Sequence, residues 1–93
     1  MGIKESEEIK NTISIKLQQL GGRKKLTTIT GIENTLSVTL TKQLKQKLSC
    51  GGTFKDGEIQ LQGDGVEKVK NVLMEDERFK GFEFFVNGKL FLR

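Results

Sequence analysis

The sequence of 93 residues contains no histidine, no tryptophan and no tyrosine, and Cys50 is its single cysteine. Without histidine there is no Ser-His-Asp triad, no Cys-His dyad and no zinc site of the usual Cys/His type. One cysteine cannot form an internal disulfide, and we interpret Cys50 as a small buried residue because nothing in the sequence supplies a base partner. We therefore expect no catalytic residue, no metal ion and no cofactor.

Long hydrophobic runs are also missing. No stretch approaches the ~20 apolar residues that a membrane-spanning helix needs, and no charged and apolar leader pattern is present, so we expect neither a signal peptide nor a membrane partner. The lone cysteine and the missing leader favour a reducing, cytoplasmic setting. The length fits one compact domain. We place this domain at residues 12–93, expect it to be a monomer, and interpret the polar residues 1–11 as a flexible arm.

Charge is spread unevenly along the chain. The net charge is +4, yet residues 9–55 carry nine lysines and arginines against one acid, Glu33. Residues 1–8 and 56–93 are each slightly acidic. A basic segment in so small a domain favours a surface that binds a polyanion. Because aromatic residues do not interleave with these cations, recognition of folded RNA by shape and backbone is favoured over the reading of splayed bases.

The first secondary-structure signal is a pair of strands. Apolar and polar residues alternate from Thr12 onward, which predicts a half-buried strand. Gly21 and Gly22 permit positive φ angles and predict a hairpin loop that reaches Lys25. Residues 26–30 are rich in β-branched side chains and predict the return strand.

A helix follows the first hairpin. Leucines recur every four residues from Leu36 to Leu48, which is one apolar stripe of a helix. Ser37 or Thr39 is the expected N-cap. The glycines at positions 51 and 52 predict a left-handed cap at the end of this helix.

The second half of the chain is also predicted to form two strands followed by a helix. Asp56-Gly57 joins two short predicted strands as a tight hairpin turn. Asp64 and Glu67 have the spacing of a capping box and predict the start of a second helix. The acids at residues 75–77 end this helix and are interpreted as a solvated loop, and Asn87-Gly88 is a strong hairpin signal after the next strand.

The predicted order is β-β-α-β-β-α-β, and residues 89–93 are able to add a sixth strand. Two helices on one face of a mostly antiparallel mixed sheet make a two-layer α+β domain. This is the fold class that we expect.

The hairpin tip is the first candidate site. Arg23, Lys24 and Lys25 lie next to each other beside two glycines, which allow a close approach to a surface. Arginine offers a planar fork for bidentate phosphate contact, and lysine acts as a point charge. The alternative is a hairpin tip whose charges serve only solubility.

Two further segments are candidates. Lys42, Lys45 and Lys47 occupy the polar surface of the first predicted helix, which is either a polyanion-binding face or a solvated one. Residues 62–64 are explained as a strand end and helix cap without any function. As a site, Asp64 would orient, or oppose, a neighbouring ribose-phosphate chain.

Three segments together resemble a known family. They are residues 18–32 (QQLGGRKKLTTITGI), 48–53 (LSCGGT) and 58–64 (EIQLQGD). Their order and spacing are similar to those of the eukaryotic- and archaeal-type translation initiation factor one family, small ribosome-binding factors that govern start-codon selection. The resemblance covers residues 11–88, most of the chain.

The resemblance implies a non-catalytic two-layer α/β domain that binds the small ribosomal subunit near the decoding site. Such a factor keeps the complex open and opposes full seating of initiator tRNA until a start codon is paired. The implied partners are small-subunit rRNA, the adjacent initiator tRNA and other translation initiation factors. The positions that match the family's rRNA-contacting hairpin and helix are Gly21, Gly22, Arg23, Lys24, Lys25, Lys42, Lys45 and Lys47. The positions that match its tRNA-facing or fidelity residues are Lys55, Asp56, Gly57, Gln62, Gly63, Asp64 and Gly88.

The second loop departs from the eukaryotic pattern, because it shrinks to Lys55-Asp56-Gly57, as it does in archaeal members. A different function class also remains: a protein-interaction module with the same fold but no ribosomal role. Its interface would be the acidic and phenylalanine-rich surface around residues 75–85. An RNA-processing enzyme is disfavoured because no acid–base pair or metal cluster can be assembled from the sequence.

Overall fold

A computed structural model describes residues 12–91 of the chain, so the expected arm at residues 1–11 and the end of the expected last strand lie outside the described residues. Residues 12–91 form six strands, two helices and one 3₁₀ turn. This confirms the predicted order, with the additional sixth strand. The elements are β1 (Thr12–Gly21), β2 (Lys24–Thr30), α1 (Asn34–Leu48), β3 (Gly52–Lys55), β4 (Glu58–Gln62), α2 (Val66–Glu75), the 3₁₀ turn (Glu77–Phe79), β5 (Glu83–Val86) and β6 (Lys89–Phe91).

The six strands form one mixed sheet in the order β3-β4-β2-β1-β5-β6. All neighbours are antiparallel except β1 and β5, which run parallel. Ile15 lies at the centre, opposite Ile29 on one side and Val86 on the other. The expected fold class, a two-layer α+β domain with a mostly antiparallel sheet, is confirmed.

The core lies between one face of this sheet and the two helices. Strand residues on that face alternate with polar residues on the other face, as their period of two requires. Buried residues of the sheet and of both helices belong to one cluster, and each fully buried Ile, Leu or Phe contributes about 1.5–3 kcal/mol. No helix within residues 12–91 is long and apolar enough to cross a membrane. Core members with almost no exposed surface include Ile13, Ile15, Ile29, Leu40, Leu44, Ile59, Leu61, Val69, Leu73 and Phe84.

Helix α1 begins one turn earlier than the capping pattern predicted. Glu33 is the N-cap and the helix starts at Asn34, so the prediction of Ser37 or Thr39 as N-cap was wrong. Ser37 is buried, and its hydroxyl donates a hydrogen bond to the Ile32 carbonyl at 3.1 Å. The hydroxyl therefore links α1 to the preceding connection instead of capping the helix.

The end of α1 also differs from the expectation. Ser49, not a glycine, adopts the left-handed conformation, with φ 52° and ψ 49°. The amide of Cys50 donates to the Lys45 carbonyl at 3.1 Å, which closes the last turn. Gly52 instead lies in β3, where a Cβ atom would stand 2.6 Å from a methyl carbon of Leu61. A close approach of β3 to β4 therefore explains this glycine.

Helix α2 ends in a local ion pair. Arg78 donates to the Asp76 carboxylate through its side chain, at 2.6 Å, and through its backbone amide, at 2.9 Å. Hydrogen bonding from Arg78 holds the pKa of the Asp76 carboxyl below its ordinary value. The guanidinium also donates to the Gln43 side chain at 3.2 Å. Asp76, expected only to solvate a loop, therefore helps to join the end of α2 to α1.

Candidate nucleic-acid interface

The β1–β2 hairpin projects beyond its neighbours in the sheet. The pairing of β1 with β5 ends at Ile15, and the pairing of β2 with β4 ends at Leu26. The strands continue past these points and pair only with each other. Every residue from 18 to 25 is exposed. The tip is therefore a two-stranded ribbon that protrudes from one end of the sheet.

Two glycines shape the end of this ribbon. Gly21 and Gly22 have φ angles of +116° and +56°, which L side chains rarely adopt. The register shifts between Gln19 and Gly21, and the side chain of the intervening Leu20 is 58% exposed. Because the turn itself needs so few residues, β2 already begins at Lys24. The expectation of a loop that reaches Lys25 was therefore wrong, and two of the three tip cations are strand residues.

The three tip cations, Arg23, Lys24 and Lys25, lie on different sides of the ribbon. Successive strand side chains point to opposite faces of a sheet, so Lys25 shares the helix-covered side with Thr27, and Lys24 shares the open side with Leu26. Arg23 occupies the turn between them. Within the described residues no acid forms an ion pair with any of the three cations. Three cations without an ion pair among residues 12–91 therefore point to different sides of one tip.

A groove lies between the hairpin and the end of β4. Strand β4 stops at Gln62 while β2 continues outward, and this leaves an open notch of about 740 Å³ beside the hairpin. The Gly63 amide donates to the Lys25 carbonyl at 2.9 Å and closes the base of the notch. Two candidate segments that are far apart in the sequence thus become two walls of one groove. Its lining residues are Leu20, Arg23, Lys24, Lys25, Leu26, Gln62, Gly63 and Asp64.

The lysines of α1 do not form a single cationic face. With 3.6 residues per turn, Lys42 and Lys45 lie on the same side of the helix, and Lys47 lies on the opposite flank. Lys47 lines a depression together with Val72, Glu75 and Asp76 of the α2 end. Its positive charge also contributes to the lowered pKa of the Asp76 carboxyl. Lys47 therefore lies beside two acids, Glu75 and Asp76, and not on the same cationic surface as Lys42 and Lys45.

The predicted tRNA-facing residues divide between the two ends of the sheet. Asp56 and Gly57 form the β3–β4 turn with φ angles of +51° and +80°. This turn and the groove lie at opposite ends of β4, about 14 Å apart along the strand at 3.4 Å per residue. Gly88 lies in the β5–β6 turn, and its neighbour Asn87 accepts a hydrogen bond from the Leu17 amide at 2.9 Å. Gly88 is therefore on the hairpin side of the sheet.

Thr27 is a residue that the sequence interpretation missed. It is completely buried on the helix-covered face of β2. Its hydroxyl donates to the Gly63 carbonyl at 2.8 Å and accepts from the Gly65 amide at 2.9 Å. Gly65, not Asp64, is the N-cap of α2, so the predicted capping box of Asp64 and Glu67 was wrong. The signal that could have found Thr27 is a hydroxyl at an inward position of a core strand.

A family model describes most of this chain. Residues 9–80 match the family named "Translation initiation factor SUI1". The matched region contains the hairpin, both helices and the groove described above.

Individual relatives come from archaea and plants. A protein named translation factor SUI1 homolog from Ignicoccus hospitalis is 43% identical over 65 residues, 68% of this chain and 62% of the relative. A homolog of the same name from Brassica oleracea is 36% identical over 85 residues, 85% of this chain and 75% of the relative. One from Methanosphaera stadtmanae is 52% identical over 52 residues. The matched region thus spans between 52% and 66% of the length of each of the first four archaeal relatives.

Proposed function

The chain belongs to the SUI1 family of translation initiation factors, and from this premise we propose that it binds the small ribosomal subunit near the decoding site and enforces start-codon selection with initiator tRNA. The family has a role in translation initiation and is not a family of enzymes. The ribosomal RNA, the initiator tRNA, other initiation factors and a cytoplasmic place of action are parts of the proposal.

The observation that carries this proposal is the protruding hairpin, whose three cations form no ion pair with any residue between 12 and 91. Positive groups crowded at one tip repel each other, and this repulsion is relieved when phosphates lie nearby. Arg23 can grip a phosphate with two parallel hydrogen bonds, while Lys24 and Lys25 act as point charges on either side of the ribbon. Because the ribbon projects from the sheet, it can enter a cleft of folded RNA.

The groove beside the hairpin favours one orientation of the bound RNA backbone. Its hairpin wall is cationic, and its other wall presents the exposed side chains of Gln62 and Asp64. A phosphate is attracted to the first wall and repelled by the Asp64 carboxylate, whereas a ribose hydroxyl can donate a hydrogen bond to Asp64. An RNA backbone therefore fits this groove in one orientation, without base-specific reading.

Lys42 and Lys45 supply a second RNA contact in this proposal. They lie on the flank of α1 opposite Lys47, where Lys42 is exposed and Lys45 is half-buried. Lys47 contributes less to that contact, since its charge is partly offset by the acids at the end of α2.

Fidelity follows when the factor binds the open initiation complex more tightly than the closed, codon-paired one. A difference of about 1.4 kcal/mol biases this equilibrium tenfold. The Asp56-Gly57 turn, at the other end of β4, is the part that faces the initiator tRNA. Full seating of the tRNA then opposes the turn and weakens the grip of the hairpin, so that the factor leaves.

The binding proposal is tested by Arg23→Ala/Lys24→Ala in a small-subunit binding assay with a salt titration. We expect weaker binding, and a plot of log affinity against log salt that is shallower by about 1.5, since two phosphate contacts are lost. The matched control is Lys80→Ala/Lys89→Ala, which removes the same charge from exposed positions outside the hairpin.

The control variant should bind almost as tightly as the unmodified protein and keep its salt slope. Equal affinities and equal slopes for the hairpin and control variants would refute the hairpin as the RNA contact. Failure of the unmodified protein to travel with small subunits would refute the ribosomal function as a whole.

The alternative function, a protein-interaction module, finds no supporting observation at residues 75–85. Phe79 and Phe84 are 1% and 0% exposed, so they serve the core and not a surface. Asp76 is paired with Arg78. Phe82 and Phe85 are only partly buried, so the phenylalanine surface that this alternative needs is reduced to two of its four members.

A further inference from the structure

We propose that Thr27 is a positioning residue that fixes the two walls of the groove relative to each other, so that both contact the same stretch of RNA. This inference rests on the proposed function, because it concerns the same groove. Thr27 itself is buried and cannot touch the RNA. Its effect passes through the segment Gln62 to Gly65.

The hydrogen bonds of this segment show how it is held. The Thr27 hydroxyl spans the segment, since it donates to the Gly63 carbonyl at 2.8 Å and accepts from the Gly65 amide at 2.9 Å. The Gly63 amide donates to the Lys25 carbonyl at 2.9 Å. Both sets of bonds run to β2, the strand that also carries Lys24 and Lys25. The segment is therefore fastened directly to the hairpin strand.

The Thr27 hydroxyl also supplies an acceptor at the start of α2, where no side chain caps the helix. The first amides of a helix need acceptors, and the residue types at 64 and 67 would ordinarily supply one through the Asp64 carboxylate. Here the hydroxyl of Thr27 accepts from the Gly65 amide, just before α2. Asp64 is exposed and makes no hydrogen bond within residues 12–91. Its carboxylate is therefore left free to face the groove.

Removal of the hydroxyl has a specific consequence. In Thr27→Val the shape is conserved, but the Gly63 carbonyl and the Gly65 amide lose their partner in a part-buried place. The segment can regain hydrogen bonds by moving toward water, or Asp64 can turn back to cap α2. Either change disturbs the second wall of the groove and adds an ordering cost to binding.

Thr27→Val leaves the number of cations unchanged, so the salt dependence of binding can distinguish a positioning role from a direct phosphate contact. The loss of a phosphate contact makes the salt dependence shallower. The loss of positioning lowers the affinity and leaves the slope as it was. We expect Thr27→Val to bind small subunits about five- to tenfold more weakly, because part of the free energy of its two lost hydrogen bonds reappears as an ordering cost on binding, with an unchanged salt slope.

The experiment compares Thr27→Val, Thr27→Ser and Thr41→Val in the small-subunit binding assay and by amide hydrogen exchange. Thr27→Ser keeps the hydroxyl and should restore most of the affinity. Thr41→Val is the matched control, because Thr41 is also buried and its hydroxyl donates to the Ser37 carbonyl at 2.7 Å, inside α1. It loses a comparable bond and should bind normally. Exchange of the Gly65 amide should be faster only in Thr27→Val.

Several outcomes would overturn the inference. Binding by Thr27→Val that equals that of the unmodified protein would do so, and so would an equal loss of affinity in Thr41→Val. Hydrogen exchange needs no ribosome, so equal protection of the Gly65 amide in all variants would overturn the positioning role by itself. Lack of binding by the unmodified protein, together with faster exchange in Thr27→Val, would count against the proposed function alone.

Discussion

The adjacent residues Gly51 and Gly52 differ in how closely neighbouring atoms approach them. Neither adopts a positive φ angle, and the left-handed position that ends α1 belongs to Ser49. A Cβ atom on Gly52 would lie 2.8 Å from the Gln60 carbonyl oxygen and would press on a Leu61 methyl group. A Cβ atom on Gly51 would meet only the flexible end of the Gln62 side chain, at 3.1 Å. Gly52 is therefore required by packing and Gly51 is not.

This difference gives a prediction at the scale of single residues. Gly52→Ala should lower the free energy of unfolding by about 1–3 kcal/mol, because β3 must move away from β4 to admit the methyl group. Gly51→Ala should change it by less than about 1 kcal/mol, since a surface side chain can swing aside. Urea unfolding of both variants measures this, and similar losses would contradict the packing explanation.

At the scale of elements, the start of α1 shows why a capping pattern can mislead. Ser37 has the right residue type for an N-cap, but it lies on the apolar side of the helix, near Leu40 and Leu44. Burial of that side draws the helix back to Asn34, and the Ser37 hydroxyl finds an acceptor in the Ile32 carbonyl. Burial of the apolar side, and not the local capping preference of Ser37, thus determines where α1 begins.

The helix boundary can be tested with two single substitutions. Ser37→Ala should destabilise the protein by about 1 kcal/mol, because it removes a buried hydrogen bond and leaves a carbonyl unpaired. Thr39→Ala should be neutral or slightly stabilising, because this position is an exposed helix interior where alanine is favoured. Thermal unfolding checks both. A clear loss in Thr39→Ala would instead mean that Thr39 caps the helix.

At the scale of the whole molecule, the two proposed contact regions lie at opposite ends of one sheet. The hairpin and groove occupy one end, and the Asp56-Gly57 turn occupies the other. The separation of about 14 Å along β4 exceeds the distance of roughly 8 Å over which physiological salt screens exposed charges. The charges at one end should therefore act independently of the charges at the other, although a collision at the turn still displaces the whole domain.

This independence predicts separate effects on binding and on discrimination. Lys55→Ala/Asp56→Asn keeps the net charge, and asparagine tolerates the positive φ at position 56. We expect small-subunit affinity within about twofold of the unmodified protein, because charges beyond a Debye length are screened. Discrimination between AUG and near-cognate codons in a reporter should change severalfold. A large loss of affinity with unchanged discrimination would contradict this division.

Much of the fold could be predicted because its signals are local. Alternation predicted β1, the leucine spacing predicted α1, and Asp56-Gly57 and Asn87-Gly88 predicted turns that the structure confirms with positive φ angles. The candidate segments of the groove could also be recognised from their residue types. Their juxtaposition could not, because it depends on the pairing of β2 with β4. The hydrogen bonds of Thr27 could not be predicted for the same reason, since its partners Gly63 and Gly65 lie on the segment after β4.

The sequence by itself determined the fold class, the basic character of the first half and the family to which the chain belongs, because composition, periodicity and short motifs are properties of neighbouring residues. The absence of histidine and the single cysteine likewise needed no structure to exclude whole classes of site. Only the tertiary structure decided which cations stand together. It placed Lys47 beside the acids at the end of α2, brought Arg23 to the same groove as Asp64, and gave the amide of Gly65, the N-cap of α2, an acceptor in Thr27. Strand pairing and burial act between residues that are distant along the chain, and no local pattern records them.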